Sequence, residues 1–178
     1  MVDTLAAVWK LLEQVPDPEI PVVSIRELGI LRDVRSAADG QIEVVITPTY
    51  SGCPAMGQIT DDVQAALQGA GLQARIVTQL APAWTTDWMT EEAKTKLRNY
   101  GIAPPQCSAP SSACDVANSK VVQFAPTKAQ HLYTADNVPC PRCNSLNTTE
   151  TSHFASTACK ALYKCLSCLE PFDYFKPY

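Results

Sequence analysis

The sequence predicts an α/β (α+β) fold in two parts: a small three-stranded sheet with packed helices, then a smaller β unit stapled by a metal. Three observations predict it. Over the first hundred residues, apolar positions recur at helical and strand periods in alternation. Between Ala103 and about Ala117 the composition shifts to Pro, Ser, Ala and Cys and periodicity stops. Seven of the eight cysteines lie beyond Ala103, in a stretch too short to bury a large core unaided.

A first helix is expected where Leu5, Val8, Trp9, Leu12 and Val15 recur at helical spacing, with Asp3 or Thr4 as its N-cap. Pro16, Pro18 and Pro21 forbid its continuation, because proline lacks an N–H and clashes with the preceding turn. "ILRDVRS" and "QIEVVITP", joined by an Asp39-Gly40 turn signal, read as a hairpin with Ile42, Val44 and Ile46 on one face. A second helix follows Pro54, with Ile59, Val63 and Leu67 inward and Gly69 or Gly71 at its end. "ARIVTQLA" supplies a third strand. The last helix runs from the Thr90 cap through Glu91 and Glu92 to Tyr100, where Gly101 stops it and Pro104 lies beyond. Packing these apolar faces together layers helices on a short sheet. The expected organisation is an α/β domain over residues 1–103, a linker over 104–120 and a cysteine-rich β domain over 121–178.

Composition narrows the function. The formal net charge is −4, so the chain lacks the basic field that non-specific nucleic-acid or membrane-surface binding needs. No apolar run approaches the ~20 residues that cross a bilayer. The first fifteen residues lack a basic leader and a cleavage site, and Glu13 interrupts their apolar positions. A cytoplasmic protein is expected, in which cysteines serve as metal ligands or reactive thiols more than as disulfides.

"CPRC" and "CLSC" are two C-x-x-C units, and Cys140, Cys143, Cys165 and Cys168 can surround one Zn²⁺ tetrahedrally. The interval between them holds a strand pair such as "TETSHF" and "KALYKC". Asn144 stands where many zinc knuckles have glycine, and asparagine tolerates the left-handed conformation required there. Four thiolates close the coordination shell, so the metal is a structural staple and not a catalyst. The same ligands would also suit a rubredoxin-like iron. Cys159 lies outside both pairs and reads as a small buried hydrophobe. Cys107 and Cys114 have no ligand-like spacing.

"TPTYSGCPA" holds the lone cysteine of the first domain. Proline suits the first helical position, which makes Cys53 the N-cap or its neighbour. A thiol so placed has its thiolate favoured by the helix dipole and free amides. It can serve as a reactive or metal-binding thiol, or be buried and structural. Cysteine-hydrolase chemistry lacks its base, because the only histidines, His131 and His153, belong to the tail. In "PDPEIP", Asp17 and Glu19 either cap a turn or present two carboxylates on a rigid loop near Cys53. Trp84 and Trp88 of "PAWTTDW" read as packing anchors. The aromatic terminus "EPFDYFKPY" offers Phe172, Tyr174 and Phe175 as either a docking surface or a core.

"DPEIP", "ELGILRDV", the T-x-x-x-C-P pattern from Thr49 to Pro54 and "PAWTTDW" together resemble the MIP18-like (DUF59) family over roughly residues 3–103. With "YGIAPP", "CPRC", "STACKALYKC" and "EPFDYF" following in order, the whole chain resembles the D subunits of bacterial phenylacetyl-CoA epoxidase systems. The resemblance implies an accessory protein, not itself an enzyme, that assists iron–sulfur cluster or iron assembly or delivery for a ring-epoxidising oxygenase. Its implied partners are the epoxidase components, especially the iron–sulfur reductase. It makes Cys53 the candidate cluster or iron ligand, with Asp17, Glu19 and Thr49 as neighbours. One thiolate does not complete a cluster, which takes about four ligands. The remainder would come from Asp17 or Glu19, from a second copy in a homodimer, or from client cysteines. The alternative is a non-catalytic zinc-containing module that bridges or stabilises the oxygenase complex, with Cys53 incidental.

Overall fold

The computed structural model describes residues 2–106 and 138–178. Cys107, Cys114, His131 and the linker over 107–120 lie outside the described residues. Helix α1 spans Val2–Leu12 and strands β1 and β2 span Leu31–Ser36 and Ile42–Ile46. Helix α2 spans Ala55–Gly69, β3 Ala74–Thr78 and α3 Glu91–Tyr100. The first sheet has the order β1-β2-β3, with β1 antiparallel and β3 parallel to the central β2. Helix α2 is the crossover that parallel pairing requires. Val8 and Leu12 of α1, Val44 and Ile46 of β2, and Ile59, Val63 and Leu67 of α2 bury into one core. The expected sheet and helices are thus present.

Local capping agrees with the sequence at one helix and departs from it at two. Thr90 accepts a hydrogen bond from the Ala93 N–H and Gly101 closes α3 at φ +99°. At α1 the helix already begins at Val2, so Asp3 and Thr4 lie inside its first turn instead of capping it. At α2, Pro54 is the N-cap itself and not the first helical residue, with no side-chain cap bond, while Cys53 is the neighbour of the N-cap, one of its two expected places.

The opposite face of the first sheet carries one charged ladder. Register places Arg35, Glu43 and Arg75 side by side across the three strands. Glu43 accepts from Arg35 Nε at 2.9 Å and from Arg75 on its other side. The Arg35 hydrogen bond, then that of Arg75, holds the Glu43 carboxyl below its usual range. A depressed folded pKa stabilises the fold above the unfolded value of about 4.3 and loses that contribution as pH falls through the folded value. Glu43→Gln should therefore melt below wild type at pH 7, and the two melting curves should converge as pH falls below about 4. Thermal melts across pH 3–7 read the effect.

Gly29 explains part of "ELGILRDV". Its φ is +72°, and an added Cβ would sit 2.6 Å from Trp88 Cβ and 2.8 Å from the Trp88 carbonyl oxygen. Trp88 in turn carries the Arg32 guanidinium 3.4 Å from its ring centroid. Gly29→Ala combines left-handed strain with overpacking and should cost about 2–4 kcal/mol in urea denaturation.

The second sheet has the order β4-β7-β6-β5. Its strands are β4 (Ile102–Ala103), β5 (Thr148–Ser152), β6 (Lys160–Cys165) and β7 (Pro171–Phe175). Strand β4 continues directly from α3 and pairs in parallel with β7. Pro104 and Pro105 are buried rather than forming an open linker. The ribbon core is small: Ala103, Val138, Cys140, Ala161, Tyr163, Cys165, Phe172 and Tyr174. Phe175 and Cys159 leave it and bury in the first core instead. Phe172, Tyr174 and Phe175 are at most 4% exposed, so the aromatic terminus is core and its reading as a docking surface is overturned. Aromatic area is what so small a unit has available to bury.

"PAWTTDW" is the joint between the two parts. Trp84 donates from Nε1 to the Leu28 carbonyl at 3.0 Å and packs against Phe175 and Tyr178. The Tyr178 carbonyl accepts from the Thr85 hydroxyl at 2.9 Å and the Thr86 N–H at 3.2 Å.

Candidate metal centre and thiol site

Two near-identical turns present the four paired cysteines. The Cys140 N–H donates to the Ser145 carbonyl and the Cys165 N–H to the Glu170 carbonyl, each at 3.0 Å. In each turn the residue after the second cysteine is left-handed: Asn144 at φ +57° and Leu169 at φ +66°. Asn144 thus does what its substitution for glycine requires. The Ser145 and Ser167 hydroxyls, 2.8 Å apart, join the turns.

All four sulfurs lie within 4.8 Å of one another. Cys140 and Cys168 are 3.8 Å apart and Cys143 and Cys165 3.6 Å. A tetrahedron with Zn–S bonds of about 2.3 Å has edges of about 3.8 Å, so the donor set fits Zn²⁺. The Cys168 N–H, then the Ser167 N–H, favours the Cys165 thiolate, which is pulled down to about 6. Against the Glu170 N–H, desolvation and the neighbouring thiols push Cys168 up to about 12. Four thiols this close ionise together only around a cation. The metal would fasten the ribbon and leave no open position for substrate.

The second site lies where the first domain meets the ribbon. Asp17 Oδ1 accepts from the Glu19 N–H at 2.9 Å and the Ile20 N–H at 2.8 Å, which fixes the proline loop. The turn-capping reading of Asp17 therefore holds, yet the residue is also only 6% exposed and acts electrostatically on the thiol. Cys53 is half-buried, and the Ala55 N–H and the buried Thr49 hydroxyl act on its sulfur to favour the thiolate. Thr49, Glu19 and Asp17 thus lie in electrostatic reach of Cys53.

Electrostatically the site differs from the sequence expectation. The helix start does not dominate. Burial pushes the Cys53 thiol above its usual range, with Glu19 and Asp17 adding to the rise against the Ala55 N–H and Thr49 hydroxyl. Burial also raises Asp17, and burial followed by Asp17 repulsion raises Glu19. A cation among these groups would reverse every one of these shifts. Among the described residues, only the four knuckle cysteines form a group of three or more such ligands within 4.8 Å. The Cys53 surroundings approach a ligand set without closing one.

The ribbon adds groups the sequence reading did not place here. The Thr157 hydroxyl lowers the Glu19 carboxyl and the Ala158 N–H lowers the Tyr50 hydroxyl, each against burial, and Lys160 lies in electrostatic reach of Asp17 and Glu19. Lys160 is buried and pairs with Asp173 at 3.0 Å. Sequence separation hid all of them, because no local pattern links residues 157–160 to the Cys53 loop.

The model of the iron-sulfur cluster assembly protein family matches residues 5–77, and that of the PaaD zinc beta ribbon domain matches residues 125–176. The D subunit of a "Putative 1,2-phenylacetyl-CoA epoxidase" from Escherichia coli K12 is 46% identical over 170 residues, covering 95% of this chain and 90% of that protein. The chain belongs to the family of phenylacetyl-CoA epoxidase D subunits. A "Fe-S protein maturation auxiliary factor" of Porphyromonas gingivalis is 37% identical over 90 residues, covering 49% of this chain and 85% of that protein. A DUF59 domain of Bacillus anthracis, known by crystal structure, has 29% identity and a TM-score of 0.49 over 54% of this chain and 92% of that one. In this member of the family, the first matched stretch contains Asp17, Glu19, Thr49 and Cys53. The second contains the four knuckle cysteines and Cys159. No helix of the described residues is long and apolar enough to cross a membrane.

Proposed function

We propose that this protein is an accessory maturation factor of a phenylacetyl-CoA epoxidase system, carrying iron or an iron–sulfur cluster as cargo to the iron–sulfur reductase component. It catalyses no ring chemistry itself. Cys53 is the cargo ligand, Thr49 and the Ala55 N–H steady its sulfur, and Glu19 and Asp17 receive the positive charge. Zinc on Cys140, Cys143, Cys165 and Cys168 holds the ribbon over this site. The observation that carries the reading is the convergence of Cys53 with two raised carboxyls in a stretch that matches an iron–sulfur assembly family. A ligand set that approaches without closing suits cargo that must leave. The reducing cytoplasm, where thiols persist, is the compartment for such work.

The test is anaerobic cluster transfer from the reconstituted full chain to the apo-reductase, followed by the reductase absorption spectrum. Wild type and Met56→Ala should restore the cluster, and Cys53→Ser should not. Equal transfer by Cys53→Ser would remove the reading. One observation favours a second reading, a module that bridges the oxygenase complex: Leu146, Leu166 and Leu169 are all exposed around the zinc knuckles. That reading expects Leu166→Asp to weaken oxygenase binding and Cys53→Ser to leave it unchanged.

A further inference from the structure

We propose that Cys143 and Cys168 are the residues at which hydrogen peroxide oxidises this protein, and that their oxidation expels the knuckle metal and loosens the ribbon from the first domain. The inference rests on zinc at the four knuckle cysteines and is independent of any cargo at Cys53. The two knuckles divide their sulfurs alike. The first cysteine of each, Cys140 and Cys165, is buried, and the second, Cys143 and Cys168, is exposed. Each exposed sulfur also lies beside a buried one of the opposite knuckle, at 3.6 Å for Cys143 and Cys165 and at 3.8 Å for Cys168 and Cys140. An accessible thiolate with a second thiolate in reach to resolve it is the arrangement of an oxidation-sensitive site. Arg142, itself exposed, immediately precedes Cys143 and keeps positive charge next to that residue. Of the other described cysteines, Cys159 is buried and Cys53 half-buried. Burial disfavours the thiolate of both, so neither is as open to attack.

The chemistry is a two-electron oxidation. With zinc bound, the four sulfurs are thiolates. The Cys143 sulfur attacks one peroxide oxygen, the O–O bond breaks and hydroxide leaves, giving a sulfenic acid. The Cys165 sulfur then attacks the Cys143 sulfur, the S–O bond breaks, a second hydroxide leaves and an S–S bond forms. The two thiolates give up two electrons, and the peroxide is reduced to two hydroxides, which take protons from solvent. Cys168 and Cys140 react in the same way. Losing two thiolates leaves the ion short of the four ligands of a structural site. A disulfide between cysteines 22 residues apart replaces less stabilisation than structural zinc supplies. Phe175 and Cys159 of the same ribbon are buried in the first core, so the joint loosens with the knuckles.

The test titrates the full zinc-loaded chain, reduced and then freed of reductant, with hydrogen peroxide. Released zinc is read with a chromogenic chelator, against chelator alone as the baseline. Sulfenic acid is trapped with a cyclic diketone, and every modified or disulfide-bonded cysteine is located by mass spectrometry. The trap should label Cys143 and Cys168 and spare Cys140 and Cys165. Without it, Cys143–Cys165 and Cys140–Cys168 disulfides should form, and zinc should leave with the first of them. Amide exchange in β7 should then quicken more than about tenfold, as expected when local opening is made easier. Reductant with added zinc should restore the protection. Oxidation first at Cys53 or Cys159 with zinc retained would overturn the inference and leave the zinc staple and the carrier reading standing. Zinc released with β7 exchange unchanged would overturn the loosening. A chain that holds no zinc before peroxide is added would overturn the staple and the inference together.

Discussion

Cys165→Ser should release the ribbon's metal and unfold residues 138–178. Cys165 is fully buried, so serine leaves both an incomplete ligand set and a poorly solvated hydroxyl in the small ribbon core. Structural zinc contributes on the order of 10 kcal/mol to the folding of a unit this small. The damage should spread, because Phe175 and Cys159 of the same ribbon are buried in the first core. Metal analysis should show zinc lost, and amide exchange should show lost protection in β5, β6 and β7 together with weakened protection near Trp84. A chelator should reproduce both effects in wild type. A variant that keeps ribbon protection without zinc would contradict the staple.

Phe175→Ala should cost about 3–5 kcal/mol, the range for deleting a fully buried aromatic side chain. Phe175 is 1% exposed, and its ring centroid lies 6.0 Å from that of Trp84. The substitution removes a wedge from the joint and leaves the knuckles untouched, so zinc should be retained while the unfolding midpoint falls. Phe154→Ala is the control: that ring is exposed, and its loss should stay within about 0.5 kcal/mol. Equal losses for the two would show that the joint contributes nothing.

The local elements were legible in the sequence because each had a local cause. Thr90 and Gly101 bracket α3, Asp39-Gly40 turns the hairpin, and the paired C-x-x-C units turn back on themselves. Asn144 was legible too, since its side chain is one of the few that accept a positive φ. The joint was not. Nothing local tells β4 to pair with β7, or Phe175 to leave its own ribbon for the first core. The thiol was half legible. Its place beside a helix start could be read, and the resemblance named Asp17 and Glu19 as its neighbours, but the burial that chiefly raises its pKa comes from the fold. Cys159 is the sharpest case: buried as the sequence suggests, yet beside a polar cluster that belongs to the other domain.

The most direct test of the carrier account is anaerobic measurement of zinc, iron and acid-labile sulfide per chain after reconstitution, on wild type and Cys53→Ser side by side. The account predicts about one zinc in both, with iron and sulfide present in wild type and lost in the variant. Iron and sulfide at equal levels in both proteins, or in neither, would contradict it.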